Sequence, residues 1–246
     1  MSDTYEYQRK TETAAPIVQL SDLLPGDVLL YRPRQPDGLQ RRVSAATDSP
    51  YTHAAIVIED NQIAEALIPD GVGRSALDQS LEGSVCVAVL RSQAGFGKER
   101  QAKLHAFVDA VISQRVPFHR QAVINFGDAS RVFFDNQLDH VRDNFGRYST
   151  AEQLAAKSFF CSGFVVACYQ AVGIIDNSAQ VAFPPEFFSP AKLYQEATFG
   201  WLLGYLIPQG GFVPPDDPLM NHATLWRDIE EKPWWAPAGV TRTDSP

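Results

Sequence analysis

Short apolar runs dominate the first ninety residues and appear again after residue 200. Such runs, bounded by turn signals, are typical of buried strands. They predict strands at residues 28–31, 53–58, 63–68, 85–90 and 201–207. The second and third runs flank the loop Glu59-Asp60-Asn61 and predict a β-hairpin, which residues 71–74 end. Residues 32–50 hold three prolines and four arginines and predict a loop with at most a short helix.

Helical periodicity takes over between residues 98 and 197. Apolar residues repeat with a period close to that of an α-helix over 98–115, where Val116-Pro117 stops the pattern. Further helices are predicted at 129–143, at 150–158 behind a Ser149/Thr150 cap, at 161–172 before Gly173, and from 190 to 197. This order of elements predicts an α+β fold, in which an antiparallel sheet packs against the helix at 161–172 and a second helix.

Three segments make up the predicted domain organisation. Residues 1–19 are polar and predict a flexible arm. Residues 20–207 form one domain, interrupted by a helical insertion at about 120–158. Residues 208–246 are rich in proline and tryptophan, which predicts a C-terminal extension packed on that domain. Trp226, Trp234 and Trp235 are expected to hold this extension in place, and the alternative is that they line a cleft.

Charge and composition exclude several functional classes. The net charge is −8 and the pI is near 5.1, so no basic block is available to follow a nucleic acid or to dock on an anionic membrane. The sequence contains no run of about 18 apolar residues, so no transmembrane helix is predicted. The N-terminus lacks the apolar core of a Sec signal. Three cysteines are too few for a disulfide framework, which favours synthesis in the reducing cytoplasm.

Cys161 is the residue whose position says most about chemistry. The segment Phe160-Cys161-Ser162-Gly163-Phe164 leads into the apolar residues 165–169, which places the cysteine in the first turn of a buried helix. Free N–H groups and the helix dipole at that end favour the thiolate, which is a nucleophile. The alternative is a small buried apolar residue, the usual role of a free cysteine and the one expected for Cys86 and Cys168.

The predicted hairpin supplies a base and a carboxylate for this cysteine. With a three-residue loop, Ile58 pairs with Gln62 and His53 lies opposite Leu67. Side chains alternate between the two faces of a strand, so His53 and Glu65 then share a face as diagonal neighbours. A two-residue loop would place them on opposite faces.

Cys161, His53 and Glu65 are therefore the predicted nucleophile, base and orienting carboxylate. The backbone N–H of Cys161 is the expected oxyanion donor, and Tyr31 is a candidate for a second donor. The alternative for His53 is a strand-end histidine satisfied by the backbone, and for Glu65 a structural salt bridge. Neither a metal nor another cofactor is expected, because the remaining histidines lack metal-ligand spacing: His105, His119, His140 and His222. Asp139-His140 reads as a solvated helix face rather than a second acid–base pair.

An ordered set of short blocks resembles a known superfamily. The blocks are residues 23–31, 52–58, 63–66, 71–72, 116–118, 160–165 and 189–193. In this order, over roughly residues 20–200, they are similar to the circularly permuted, papain-like NlpC-type cysteine amidases and peptidases, in particular the YiiX-like branch. The resemblance implies a permuted papain-like catalytic domain with Cys161 as nucleophile, His53 as base and Glu65 as third polar residue.

Two features depart from the pattern of that superfamily. Phe118 stands where the family often has a tyrosine, so a phenolic hydroxyl is missing there. The segment between Phe118 and Cys161 is longer than the pattern implies. A lid that selects substrate and a purely structural elaboration both account for that length.

The function that the resemblance implies is a cysteine hydrolase that cleaves an amide bond, in a peptidoglycan stem peptide or a related small peptide. A chain without a Sec signal would need another route to the cell wall, so the expectation is an antibacterial effector toxin. It would be exported by a contact-dependent secretion system to a target-cell periplasm, with a secretion-machine component and an immunity protein as partners. The alternatives are a lipid acyltransferase or thioesterase of the permuted lecithin:retinol acyltransferase type, and a non-catalytic binding module.

Overall fold

The structure is a computed structural model that describes residues 15–116 and 120–222, without the side chains of residues 120–125 and 221–222. The first part of the predicted arm, residues 1–14, lies outside the described residues. So do Phe118, His119 and the three tryptophans assigned to the C-terminal extension, Trp226, Trp234 and Trp235. The side chain of His222 also falls outside the described part of the chain.

Strands occupy the first half of the described chain and its end, and helices lie between them. The strands are β1 (Val28–Pro33), β2 (His53–Glu59), β3 (Gln62–Leu67), β4 (Gly71–Ala76), β5 (Ser84–Arg91) and β6 (Trp201–Leu206). The helices are α1 (Gly38–Thr47), α2 (Leu77–Ser80), α3 (Lys98–Gln114), α4 (Arg120–Asp135), α5 (Gln137–Asn144), α6 (Ala151–Ala155), α7 (Cys161–Ala171), α8 (Pro190–Gln195) and α9 (Pro218–His222). Short 3₁₀ turns join several of them.

The six strands form one antiparallel sheet in the order β4-β3-β2-β1-β5-β6. Helix α7 is buried over almost its whole length and packs on one face of the sheet together with α3. The side chains of α3 that reach this core are Leu104, Phe107, Val108 and Val111. This arrangement confirms the predicted α+β fold, with an antiparallel sheet packed against the cysteine helix and a second helix.

The hairpin between β2 and β3 has the predicted register but a different turn. The structure pairs Ala55 with Glu65 and Val57 with Ile63, as the sequence predicts. The loop, however, has two residues, because Glu59 pairs with Gln62. A β-bulge between Val57 and Glu59 adds the residue that the loop lacks, so the faces of the strands stay as predicted. The expectation that a two-residue loop would separate His53 from Glu65 is therefore wrong.

Residues 71–76 form a strand, β4, where the sequence predicts the end of the hairpin. Gly71 and Gly73 have a low strand propensity. Every residue of β4 nevertheless pairs with β3, and this pairing supplies the backbone hydrogen bonds. Residues 38–47 similarly form a helix of ten residues, α1, inside the predicted loop. Asp37 and Gln40 start that helix with a reciprocal capping box.

The insertion at about 120–158 contains three helices rather than two. The predicted helix at 129–143 is divided between α4 and α5, with Asn136 in a non-helical conformation between them. The helix predicted at 150–158 is the short α6, which Thr150 caps with Gln153 as its partner. Helix α4 packs against α1, where a β-carbon on Gly127 would lie 3.1 Å from the Ala46 side chain.

The segments on either side of the main domain are bound to the sheet. Residues 16–18 exchange backbone hydrogen bonds with Tyr205 of β6, so this part of the predicted arm is ordered against the sheet. In the C-terminal extension, Asp217 is fully buried and accepts hydrogen bonds from the hydroxyls of Tyr51 and Tyr205, each at 2.8 Å. Arg32 donates to the same carboxylate at 3.1 Å. These hydrogen bonds fasten the extension to Tyr51, which lies two residues before His53 in the sequence.

We predict that Asp217→Ala lowers the free energy of unfolding by about 3–5 kcal/mol, because it leaves buried donors without their acceptor. Asp216→Ala is the matched control: Asp216 pairs with the same Arg32 at 3.3 Å, but its side chain is 78% exposed. The control should cost less than about 1 kcal/mol. Urea denaturation of both variants measures the difference, and equal losses would contradict the anchoring role of Asp217.

Candidate active site

The first turn of α7 packs against residues 185–188, which hold it in place. A β-carbon on Gly163 would lie 2.6 Å from the carbonyl oxygen of Pro185, so only glycine permits this close approach. The Ser162 hydroxyl donates to the carbonyl of Phe188 at 2.7 Å. Phe160, in extended conformation, is the N-cap residue of the helix. Cys161 is therefore held in the first helical turn, as the sequence predicts.

The sulfur of Cys161 faces the start of β2. The groups that interact with the thiol there are the His53 ring and the backbone N–H of Ala54, and the N–H of Ser162 is a third. Burial raises the pKa of the Cys161 thiol, but the charge and hydrogen bond of His53 and the two backbone donors outweigh burial. The pKa of Cys161 is consequently lowered, which favours the thiolate.

The other side of the His53 ring is held by Glu65. Nε2 of His53 lies 2.7 Å from Oε2 of Glu65, and the His53 ring also interacts with the side chain of Cys161. Burial lowers the pKa of His53, but the Cys161 thiolate and the Glu65 carboxylate together raise it above its ordinary value. Burial also works against the charged Glu65, whose pKa is nevertheless lowered by His53 and by the Ser75 hydroxyl.

Cys161, His53 and Glu65 thus form a contiguous chain of three side chains from two distant parts of the sequence. The directions of the three pKa changes agree with one charge state: a thiolate, an imidazolium and a carboxylate. In this state the cysteine is ready to attack an electrophile and the imidazolium has a proton to give.

Tyr31 contributes its ring rather than its hydroxyl. The Tyr31 ring lies 5.2 Å from the His53 ring, at an angle of 50°. Its hydroxyl is 2.9 Å from Oγ of Ser80, which itself donates to the carbonyl of Leu77 at 2.7 Å, so Tyr31 is the donor to Ser80. The hydroxyl hydrogen of Tyr31 is thus engaged by Ser80, and a role for Tyr31 as oxyanion donor stays a prediction. The ring limits how far the imidazole can turn.

The site is nearly closed to solvent. Cys161 is 9% exposed, whereas the His53 side chain is 21% exposed. Phe160, the residue before the cysteine, lines two cavities. One has a volume of about 280 Å³ and is lined by Lys157, Phe159, Gly163 and the turn at 185–186. The other is apolar, has a volume of about 30 Å³, and lies between α1, Phe126 and Pro190.

Sequence reasoning missed two groups that shape the electrostatics of the site. The Ala54 N–H reaches the thiolate because β2 begins beside α7, and no side-chain pattern reports a backbone donor. Ser75 reaches Glu65 from β4, the strand that the sequence does not predict. Recognising residues 71–76 as a third strand of the meander would have placed Ser75 opposite Ile63, diagonal to Glu65.

Other polar residues considered in the sequence lie apart from this site. Asp139 pairs with Arg142 at 2.8 Å, while the His140 ring packs against Phe133, so Asp139 and His140 do not pair. Cys86 and Cys168 are buried, and burial raises the pKa of both thiols, that of Cys86 to about 12. Within residues 15–116 and 120–222, no cluster of three or more His, Cys, Asp or Glu side chains is placed to hold a metal ion. None of the helices in this part of the chain has the length and apolarity to span a bilayer.

Comparison with known proteins shows a distant likeness among solved structures. No protein-family model matches this chain. No curated protein matches it either. Among solved structures, the crystal structure of metalloprotein yiiX from Escherichia coli O157:H7, DUF1105, has a TM-score of 0.38 and 16% identity. The match covers 78% of this chain and 92% of that protein. A likeness this distant identifies neither the family nor the activity of this chain.

We predict that iodoacetamide alkylates Cys161 at pH values well below the ordinary cysteine pKa of about 8.5. Because the pKa of Cys161 is lowered, the thiolate persists as the pH falls and disappears only below that lowered pKa. His53→Ala should move the alkylation profile to higher pH, whereas His105→Ala, on α3, should leave it unchanged. Mass spectrometry of the Cys161 peptide follows the rate. A wild-type profile that His53→Ala does not move would contradict the ion pair.

Proposed function

We propose that this protein is a cysteine hydrolase that cleaves an amide bond, with Cys161 as nucleophile, His53 as acid and base, and Glu65 as orienting carboxylate. The observation that carries the proposal is the continuous contact from the thiol through the imidazole to the carboxylate at the start of a buried helix. A nucleophile and a base in hydrogen-bond reach, with the base held by a third group, are the requirements for covalent acyl transfer.

The first half of the reaction forms a thioester. The Cys161 thiolate attacks the carbonyl carbon, and the backbone N–H of Cys161, at the free end of α7, is available to the oxygen that becomes negative. As the C–N bond breaks, the His53 imidazolium gives its proton to the leaving nitrogen, and the amine departs. Neutral His53 then stands beside an acylated Cys161.

The second half hydrolyses the thioester. His53 accepts a proton from water, and the resulting hydroxide adds to the thioester carbonyl carbon. Collapse of this intermediate breaks the C–S bond and restores the thiolate and the imidazolium, with release of a carboxylic acid. Glu65, at 2.7 Å, stabilises the imidazolium in both halves and keeps the other ring nitrogen towards the sulfur.

The dimensions of the neighbouring cavities favour a peptide amide over a lipid ester. The apolar cavity of about 30 Å³ is far below the 300 Å³ or more that is usual for a ligand pocket. The larger cavity, about 280 Å³, includes the charged side chains of Lys157 and Glu186. The same cavity is also lined by Phe159, Phe160 and Pro185, so its surroundings suit a peptide that carries both amide groups and apolar side chains.

We predict that Cys161→Ala and His53→Ala each lower the hydrolysis rate by about 10⁴–10⁶-fold, because the two residues act as a unit. Glu65→Gln should cost at least about tenfold less, since it removes the charge but keeps a partner for the ring. Cys168→Ala, two turns further along the same helix, is the matched control and should retain activity. Mass spectrometry of released fragments measures the rates. A Glu65→Gln loss as large as that of Cys161→Ala would give the carboxylate more than an orienting role.

The proposed substrate is a peptidoglycan stem peptide, and the proposed setting is an antibacterial effector delivered to a periplasm. We predict that periplasmic expression of the wild-type chain in a Gram-negative host lowers growth and cleaves stem peptides, and that expression of Cys161→Ala does not. Culture density and mass spectrometry of muropeptides are the measurements. Equal growth with intact sacculi would refute the wall substrate and leave cleavage of another small peptide.

A further inference from the structure

A third cavity lies beside α7. Its volume is about 200 Å³, and it is formed by the end of α5, the residues around 147–149, and the turns at 180–186. The cavity shares Lys157, Pro185 and Glu186 with the 280 Å³ cavity beside Phe160. The two cavities are therefore neighbours, and together they extend from Gly163 in the first turn of α7 to Gln170 near its end.

Gln170 lines this cavity and has an acceptor without a partner among the described residues. Its side-chain nitrogen donates to the carbonyl of Phe183 at 2.8 Å, which fixes the orientation of the amide. Its Oε1 is buried and has no hydrogen-bond partner among the described residues. Because Gln170 is only 6% exposed, solvent does not readily replace that partner. A buried acceptor without a partner is costly, so a ligand that donates a hydrogen bond here would be favoured.

The rim of the cavity carries cations without acidic partners. Arg147 donates to the Asn144 amide oxygen at 3.0 Å, and Lys157 reaches the Ser149 hydroxyl at 3.5 Å, so both have only neutral partners in the described part of the chain. Glu186 brings one carboxylate to the same rim. Two cations against one anion leave one positive charge beside the buried acceptor, which suits a carboxylate adjacent to an N–H.

We propose that this cavity is a distal substrate subsite that holds the free C-terminal carboxylate of a peptide and the N–H of its last residue. The geometry of α7 sets the length of that peptide. Gln170 is nine positions after Cys161, which corresponds to about 14 Å along the helix. An extended chain covers this distance in about four residues. The assumption that the peptide runs from this cavity towards Cys161 rests on the proposed function. Binding of the peptide's C-terminus in the cavity does not.

Binding to the full-length Cys161→Ala protein tests the subsite without any need for cleavage. The probes are N-acetyl tetra-alanine as the free acid, the same peptide as the C-terminal amide, and the free acid with lactate in place of the last alanine. The lactate probe keeps the carboxylate and replaces the last N–H by an ester oxygen. Dissociation constants come from ligand-observed NMR titrations.

The free acid should bind about tenfold more tightly than the amide, because hydrogen bonds to a charged group are worth about that factor. Arg147→Ala and Lys157→Ala should each remove most of this preference. The matched control is Arg131→Ala on α4, which loses the same charge from an exposed guanidinium beside Asp128. The lactate probe should bind more weakly than the peptide, and Gln170→Leu should remove that difference.

Equal affinity for acid and amide, or a preference that survives the Arg147→Ala/Lys157→Ala double variant, would overturn the subsite. Failure of all three probes to bind at millimolar concentration would overturn it as well. Because Arg147 and Lys157 are exposed, their variants should fold normally even if Gln170→Leu does not. Loss of the hydrolase function would appear instead as an unreactive Cys161 thiol, with these affinities unchanged.

Discussion

The contact between the buried helix α7 and the start of β2 is the constraint on which the site depends. The helix is enclosed by the sheet on one side and by α3 and the 185–188 segment on others, so its first turn has no freedom to move. The thiolate of Cys161 consequently meets the Ala54 N–H and the His53 ring without any side chain having to reorganise. A preorganised charge pair of this kind lowers the pKa of a thiol that burial alone would raise.

The surrounding elements serve to keep that contact in place. Asp217 fastens the C-terminal extension to Tyr51, two residues before His53, and the Tyr31 ring closes the other side of the imidazole. Glu65 is held by the β2–β3 register and is further supported by Ser75 of β4. The insertion has two roles: Asn144 of α5 and Leu154 of α6 line the cavity beside α7, and Leu154 and Ala155 also pack in the core under the sheet.

Sequence patterns predicted the parts of this structure that depend on local chemistry. The α+β class, the β2–β3 pairing and the helix that starts at Cys161 follow from apolar runs and turn residues. The division of the insertion between α4 and α5, and the strand β4, were not predictable in the same way. Gly71 and Gly73 disfavour a strand in isolation, and only pairing with β3 reverses that preference. The bulge at Ile58 was also hidden, because it compensates for a loop one residue shorter than predicted.

The sequence by itself determined which residues could do chemistry: a cysteine at the start of a helix, and a histidine and a glutamate on the same face of the β2–β3 hairpin. Local periodicity suffices for this, since the alternation of side chains is a property of the strand. Only the tertiary structure decided that the Tyr31 hydroxyl points to Ser80, that Ser75 supports Glu65 and that the buried amide oxygen of Gln170 has no partner among the described residues. These contacts join residues far apart in the chain, and long-range packing, rather than local preference, selects them.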